Sequence, residues 1–264
     1  MEVTARTRFL EDYARIRHAE GRGSDDPAYY RALPYADLTG RNSWQWAIRA
    51  RTYRHFEKHV LEPFEKTTAG RLDILDLGAG NGWTSHRLAL RKHQVIALDI
   101  FTDEKDGLKA TKHYPVKLAP VAAEFDQLPF PDSAFDLVLY NASIHYSTDY
   151  HRTLREARRC LRRDGRIVIM DSPVYKRYEH GDIMRRERHE QFERQYGFRS
   201  DALRSIDFFD EEMLARLAGD FGIEWQRLQP WYGWQWAWRP WRSRLQGKRP
   251  PSRFFILVGR FRQQ

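Results

Sequence analysis

Asp76-Leu77-Gly78-Ala79-Gly80-Asn81-Gly82 is the run with the most direct chemical meaning in this chain. Glycines at alternate positions let a backbone turn sharply and come close to a ligand. An apolar run at 72–77 precedes them and a helical pattern at 82–91 follows, so a helix N-terminus opens onto the loop. Asp99 closes the next apolar run, 94–100, and stands 21 residues beyond Gly78. An acid at that spacing accepts hydrogen bonds from the two hydroxyls of a ribose. Taken singly, the loop is a tight turn and the acid a helix cap. Taken together, they point to a ligand that contains a nucleoside.

The loop chemistry separates the candidate nucleosides. A dinucleotide fingerprint wants a third glycine at position 83, where helix and strand pack closely. That position holds Trp83. Asp76 at the entry of the loop would repel a pyrophosphate. S-adenosylmethionine carries no phosphate; its ammonium and sulfonium suit a nearby carboxylate. The loop therefore favours that cofactor over a nicotinamide dinucleotide.

A second chemically pointed stretch is residues 231–241, Trp-Tyr-Gly-Trp-Gln-Trp-Ala-Trp-Arg-Pro-Trp, with five of the nine tryptophans. Trp234, Trp236 and Trp238 alternate, and an extended strand would put them on one face. Tryptophan beside arginine suits three surroundings. The default is the protein's own core or a dimer contact covering sheet and pocket, because large aromatics are mostly buried. A membrane interface holding a lipid-linked substrate comes next. Nucleic acid, with rings stacked on unpaired bases, comes last.

The elements that must position these residues alternate from residue 70 onward. Strand patterns fall at 72–77, 94–100, 118–123, 135–140, 166–170, 223–228 and 253–261. Helical patterns fall at 82–91, 147–162 and 209–221. The last has Asp210 as N-cap, Glu211 and Glu212 in its first turn and Gly222 just past its end. This order predicts an α/β fold: a doubly wound, mostly parallel seven-stranded sheet with helices on both faces. Ligands of such sheets sit at the carboxyl ends of the strands, at the switch point. One domain is expected over 1–264. It would comprise a helical extension at 1–70, a cofactor-binding core at 71–172, an insertion at 173–206, and a C-terminal half at 207–264 with a Trp-rich insertion at 231–252.

Composition bounds the partners. Of 264 residues, 41% are hydrophobic and 31% charged, a globular balance. Residues 1–26 are mostly polar, so no secretory leader is expected and a cytoplasmic location is. The single cysteine, Cys160, rules out an internal disulfide and a cysteine-rich zinc site, and no metal site is expected. The net charge is +9, but residues 239–264 carry eight of those charges and no acid. The remainder is nearly balanced, which weakens the case for a nucleic-acid partner and leaves peripheral membrane contact open.

With these residues in hand, the chain resembles the class I S-adenosylmethionine-dependent methyltransferases over residues 70–172. The resemblance implies S-adenosyl-L-methionine as cofactor, Asp99 on its ribose and an acid on its adenine amine before the fourth strand. Here Glu124 takes that place, with Phe125 beside the ring, in the stretch Glu124-Phe125-Asp126-Gln127-Leu128-Pro129-Phe130. The family commonly has Asp there; Glu reaches farther but accepts the same bond. The cofactor-binding set so implied is Asp76, Gly78, Ala79, Gly80, Gly82, Asp99, Ile100, Glu124, Phe125 and Asn141.

The resemblance also aims the end of the fourth strand, Tyr140-Asn141-Ala142-Ser143-Ile144-His145, at the transferred methyl group. His145 is the histidine at that edge and the candidate general base. Its plain reading is a packing or capping residue. Relatives that methylate exocyclic base amines carry two prolines after the Asn or Asp. Asn141-Ala142-Ser143-Ile144 has none, which disfavours adenine or cytosine in nucleic acid as acceptor. Insertions such as 173–206 form the substrate lid in the family. Helices before the first strand close over the methionine end, where Arg49 or Arg51 would pair with its carboxylate. The expected activity is methyl transfer to a small-molecule acceptor. The alternatives are a lipid-linked or nucleic-acid acceptor, or a non-catalytic module that only binds the cofactor.

Overall fold

The computed structural model describes residues 2–68, 70–199 and 201–262, the side chains of 2–4 excepted. Four helices come first: α1 (Glu2–Ala19), α2 (Pro27–Ala32), α3 (Ser43–Phe56) and α4 (Glu62–Thr67). A π-helical turn, Glu57–Leu61, joins α3 to α4. Pro63 lies just beyond it, and a residue with no N–H cannot continue the α-helical ladder. Then β1 (Asp73–Leu77), α5 (Trp83–Leu90), β2 (Gln94–Asp99), β3 (Ala119–Ala122), β4 (Phe135–Asn141), α6 (Tyr150–Cys160) and β5 (Leu161–Met170) alternate. After them come β6 (Pro173–Tyr175), α7 (Tyr178–Tyr196), β7 (Phe209–Asp210), α8 (Glu211–Phe221) and β8 (Ile223–Leu228). The chain ends with α9 (Trp234–Ala237), α10 (Arg239–Leu245), β9 (Arg253–Phe254) and β10 (Ile256–Phe261).

The main sheet has the seven strands that the alternating pattern predicts, in the order β3-β2-β1-β4-β5-β10-β8. Adjacent strands from β3 to β5 run parallel; β10 runs antiparallel to both β5 and β8. Chain order reverses between β1 and β4, which opens the crevice there. Two apolar layers cover the faces. One joins Leu139, Val168 and Met170 to Trp46, Tyr53 and Phe56 of α3. The other joins Val138, Tyr140 and Ile169 to Leu154 of α6 and Leu214 of α8. Truncating a wholly buried residue such as Leu139 to Ala in either layer costs about 2–5 kcal/mol.

The elements depart from the sequence pattern in four places. Helix α6 starts at Tyr150 rather than 147, because Asp149 caps it by accepting from the His151 and Arg152 N–H groups at 2.8 and 3.2 Å. Strand β5 starts at Leu161 rather than 166, and its pairing with β4 jumps where Asp164-Gly165 turns. The single strand expected at 253–261 is two, because the chain leaves a small sheet (β7-β6-β9) at Phe254 and joins the large one at Ile256. The stretch holding Trp234, Trp236 and Trp238 is helical, not extended. Helix α8 forms where expected, with Asp210 accepting from Met213 N–H at 2.8 Å and Gly222 at φ 63° past its end.

Candidate active site

A cavity of about 1090 Å³ lies over the carboxyl ends of β1, β2, β4 and β5. The glycine loop forms its floor. Gly78 and Ala79 donate to Leu98 O at 2.8 and 3.0 Å, which folds the loop back over β2. Gly78 has φ 75°, and a Cβ there would stand 2.2 Å from that of Ser143. Ser143 is fixed in turn by donating to Leu77 O at 2.5 Å. No other residue fits at 78. Gly80 donates to Asp99 Oδ2 at 2.8 Å, and Phe101 N–H to Asp99 Oδ1 at 2.8 Å. Two backbone donors aim the carboxylate, and each oxygen keeps a lone pair for a ligand. Desolvation nevertheless raises the Asp99 carboxyl above the usual range, against those donors.

Of the ten residues expected to hold the cofactor, nine line this cavity: Asp76, Gly78, Ala79, Gly80, Asp99, Ile100, Glu124, Phe125 and Asn141. Gly82 does not. It is the left-handed N-cap of α5, and its α-hydrogens face Thr111 and Tyr114 beneath the loop. Its role is the turn into the helix. Trp83 is buried, edge-on to Trp46 and Tyr53 with ring centroids 5.9 and 5.5 Å away. An indole thus occupies the place where a pyrophosphate loop requires glycine.

Buried polar atoms of the lining residues test the expected cofactor. Asp76 Oδ2 accepts from Ser85 Oγ at 2.7 Å, while its Oδ1 is buried with no hydrogen-bond partner. Asn141 donates Nδ2 to Thr84 Oγ1 at 2.8 Å, and its Oδ1 is likewise buried and unpaired. Two orphaned acceptors call for a ligand that brings donors. An ammonium group supplies them and a phosphate does not, so the residues fit S-adenosylmethionine. Burial pushes the Asp76 carboxyl up to about 7, with the nearby Asp99 adding to the rise and Ser85 opposing it.

Helix α1 closes the cavity; a lid from the N-terminal helices was expected, but its residues were not named. Ala5, Phe9, Tyr13 and Arg17 recur at i, i+4 spacing, and with Arg6 they line the cavity. Tyr13 packs edge-on against Phe101 at 5.0 Å and Tyr146 at 5.9 Å. Arg17 pairs with Asp106, which is 3% exposed and also accepts from Asn81 Nδ2 at 3.2 Å. Arg6 grips Glu124 with two guanidinium nitrogens, one to each oxygen. Glu124, expected to be free for an adenine amine, is thereby shared with the lid, and its carboxyl is still raised by burial. The signal lay in Phe9, Tyr13 and Arg17, one face of one helix.

The far end of the cavity is formed by Arg49, His145, Asp171, Pro173, Arg204 and Phe254. Arg49, not Arg51, faces it; Arg51 donates to Tyr232 O outside. Asp171 accepts from Thr52 Oγ1 at 2.8 Å, and that hydroxyl meets Tyr232 OH at 2.9 Å. Desolvation raises its carboxyl, with Arg49 and Thr52 opposing. Ala142 and Asp171, at the ends of β4 and β5, hold φ values of 56° and 50°. Such backbone costs about 1–3 kcal/mol and collects at functional sites. His145 sets Nδ1 3.2 Å from Ser172 Oγ. Burial pushes its imidazole down to about 4, helped by Arg188 and Arg49 and opposed by Asp207.

The insertion at 173–206 reaches the cavity through Pro173 and through Ala202, Leu203 and Arg204, beyond α7. The Trp-rich insertion contributes no lining residue among those described. Four of its tryptophans, Trp231, Trp234, Trp238 and Trp241, are exposed, so the expected burial against sheet and pocket does not hold. No helix among the described residues is long and apolar enough to cross a membrane.

Comparison with known proteins agrees with this geometry. Residues 75–169 match a family model described as a methyltransferase domain. An uncharacterised methyltransferase of Bacillus subtilis, YcgJ, is 30% identical over 114 residues, 37% of this chain and 40% of that protein. A malonyl-[acyl-carrier protein] O-methyltransferase of Legionella pneumophila is 34% identical over 98 residues, 36% of this chain and 34% of the relative. The chain thus spans about a third to two fifths of the length of these relatives. Among solved structures, an S-adenosylmethionine-dependent methyltransferase from Mesorhizobium loti superposes with a TM-score of 0.52 at 20% identity. That match covers 72% of this chain and 90% of the other, and it speaks for the fold.

Proposed function

We propose that the chain, whose residues 75–169 match a methyltransferase-domain model, is a class I, S-adenosylmethionine-dependent methyltransferase that transfers a methyl group to a small-molecule acceptor held at the far end of the cavity. The observation that carries this reading is the pair of orphaned buried acceptors, Asp76 Oδ1 and Asn141 Oδ1, beside the aimed carboxylate of Asp99. When bound, S-adenosylmethionine supplies a methyl group on a sulfonium that leaves as a neutral thioether. The glycine loop and Asp99 hold the nucleoside. Asp76 and Asn141 receive the ammonium, and Arg49 faces the carboxylate end. Helix α1 excludes water, and the protein's contribution is chiefly alignment and dehydration.

The acceptor lies among His145, Arg49, Asp171, Arg204 and Phe254, a mixed charged and aromatic surface. Nδ1 of His145 is turned to Ser172, which leaves Nε2 for a proton. An imidazole pushed down to about 4 is neutral at pH 7 and a weak base. It suits a hydroxyl or amine whose proton turns strongly acidic as the new bond forms.

Calorimetric titration of S-adenosylhomocysteine into the protein tests the cofactor site. It is followed by screening small hydroxyl, amine and thiol acceptors with cofactor labelled in the methyl group. Binding followed by label transfer supports the proposal. Binding with no transfer to any acceptor would favour a module that only holds the cofactor. No binding would sink the reading altogether.

A further inference from the structure

The tryptophan segment forms a surface that the site does not use. Helices α9 and α10 follow one another through Trp238, whose backbone is right-handed helical, and two i to i+4 hydrogen bonds span the junction: Trp238 N–H donates to Trp234 O at 3.0 Å, and Arg242 N–H to Trp238 O at 3.1 Å. Residues 234–245 therefore act as one helix, with Trp234, Trp238, Trp241 and Leu245 at i, i+4, i+7 and i+11. At 3.6 residues per turn these four fall within an arc of about 60°. They are 74, 62, 63 and 87% exposed. Trp231, 60% exposed, extends the stripe by packing edge-on to Trp234 at 5.2 Å.

The opposite face ties the helix down. Trp236 packs on Tyr232 at 4.9 Å and on Phe254 at 5.6 Å. Arg239 stacks 3.3 Å over the Trp236 ring and donates to Ser252 O at 2.7 Å. The outward stripe is thus fixed in place, and Arg242 and Arg244 flank it at about 80° on either side by the same helical count. Lys248 follows just past the helix. All three cations are exposed, and residues 231–253 contain no acid.

We infer that this helix docks on an anionic lipid surface. An apolar stripe of indoles bordered by cations is the arrangement that lies in a headgroup layer, with rings at the boundary and charges on phosphates. A stripe of five large apolar residues has no covering in the monomer, and its charge is of one sign, complementary to acidic lipid. The inner face rests on Phe254, a residue of the cavity's acceptor end, so docking sets that end beside the bilayer. The inference stands independently of the acceptor's identity.

Flotation of the full chain with vesicles tests it. One set is phosphatidylcholine alone and the other contains about one third phosphatidylglycerol. Binding is expected to the anionic vesicles, at least tenfold stronger than to the neutral ones and weakened severalfold between 50 and 500 mM salt. The triple variant W234S/W238S/W241S and the variant R242E/R244E should each lose it. Both should melt with the wild type and keep its affinity for S-adenosylhomocysteine, because the altered residues are exposed and away from the cavity. Equal binding by the variants, or no binding of the wild type to anionic vesicles at low salt, would overturn the proposal. So would a wild-type dimer that the triple variant abolishes without any vesicle binding, or retention on single-stranded RNA alone.

Discussion

Asp99 does two jobs at the scale of single residues. It is aimed by the Gly80 and Phe101 N–H groups, and in the proposed function it presents both oxygens to a ribose. Charge-assisted hydrogen bonds are each worth about 1.5–3 kcal/mol. Asp99→Ala should therefore weaken S-adenosylhomocysteine about a hundredfold by calorimetry. Asp99→Asn, which keeps the shape, should lose less. An unchanged constant in both would remove Asp99 from the site. His145 makes a different prediction. Its imidazole, pushed down to about 4, stays neutral across pH 5–8. If it takes the acceptor's proton, the rate of transfer should show no histidine-like rise between pH 6 and 7, while His145→Ala slows it. A wild-type profile with an inflection near 6.5 that the variant lacks would contradict the buried, neutral ring.

At the scale of elements, the decisive piece is α1. Its inward face is tied to the Rossmann-like core by Arg17 on Asp106 and Arg6 on Glu124. The two pairs differ in weight. The Asp106 side chain is 2% exposed, and removing its cation leaves an unpaired charge in the interior at about 3–5 kcal/mol. Arg17→Met should lower Tm by about 10 °C, and adding Asp106→Asn should recover part of the loss. The Arg6 side chain is 44% exposed, so Arg6→Ala should leave Tm nearly unchanged. It should instead speed release of S-adenosylhomocysteine, measured by stopped flow. Equal melting of the Arg17 variant and the wild type would mean that α1 is not part of the closed structure.

For the whole molecule, pH is the cleanest probe of a buried carboxyl proposed to receive a cationic ligand. Burial pushes Asp76 from 3.8 up to about 7. The folded protein then binds a proton that the unfolded chain has released, over the range from about 4 to 7. Stability must fall as pH rises through that range. Asp76→Asn removes the effect, so its Tm should exceed that of the wild type at pH 8, and the gap should close toward pH 4. Ligand binding runs the other way. An ammonium favours the ionised carboxylate, so affinity should grow as pH rises toward 8 and binding near pH 7 should release a proton. Calorimetry in two buffers of different ionisation enthalpy reads that proton directly. A pH-independent affinity would place the ammonium elsewhere.

Periodicity and short motifs, with the family resemblance, were enough to read the α/β sheet and to name nine residues that line the cavity. These features are local: a glycine loop, an acid at a strand end and an alternation of runs are legible within about thirty residues. Three things were decided only by tertiary structure. Which of the N-terminal helices expected to close the site lines the cavity was decided as Arg17 met Asp106, 89 positions away, a pairing that no local pattern encodes. Gly82 left the site because the loop turned its α-hydrogens toward Thr111. The tryptophans of 231–241 went outward because the segment coiled into a helix and Trp236 alone found Phe254 to rest on. Which of several hydrophobic residues is buried depends on what the distant chain brings beside it, and that is settled only when the sheet closes.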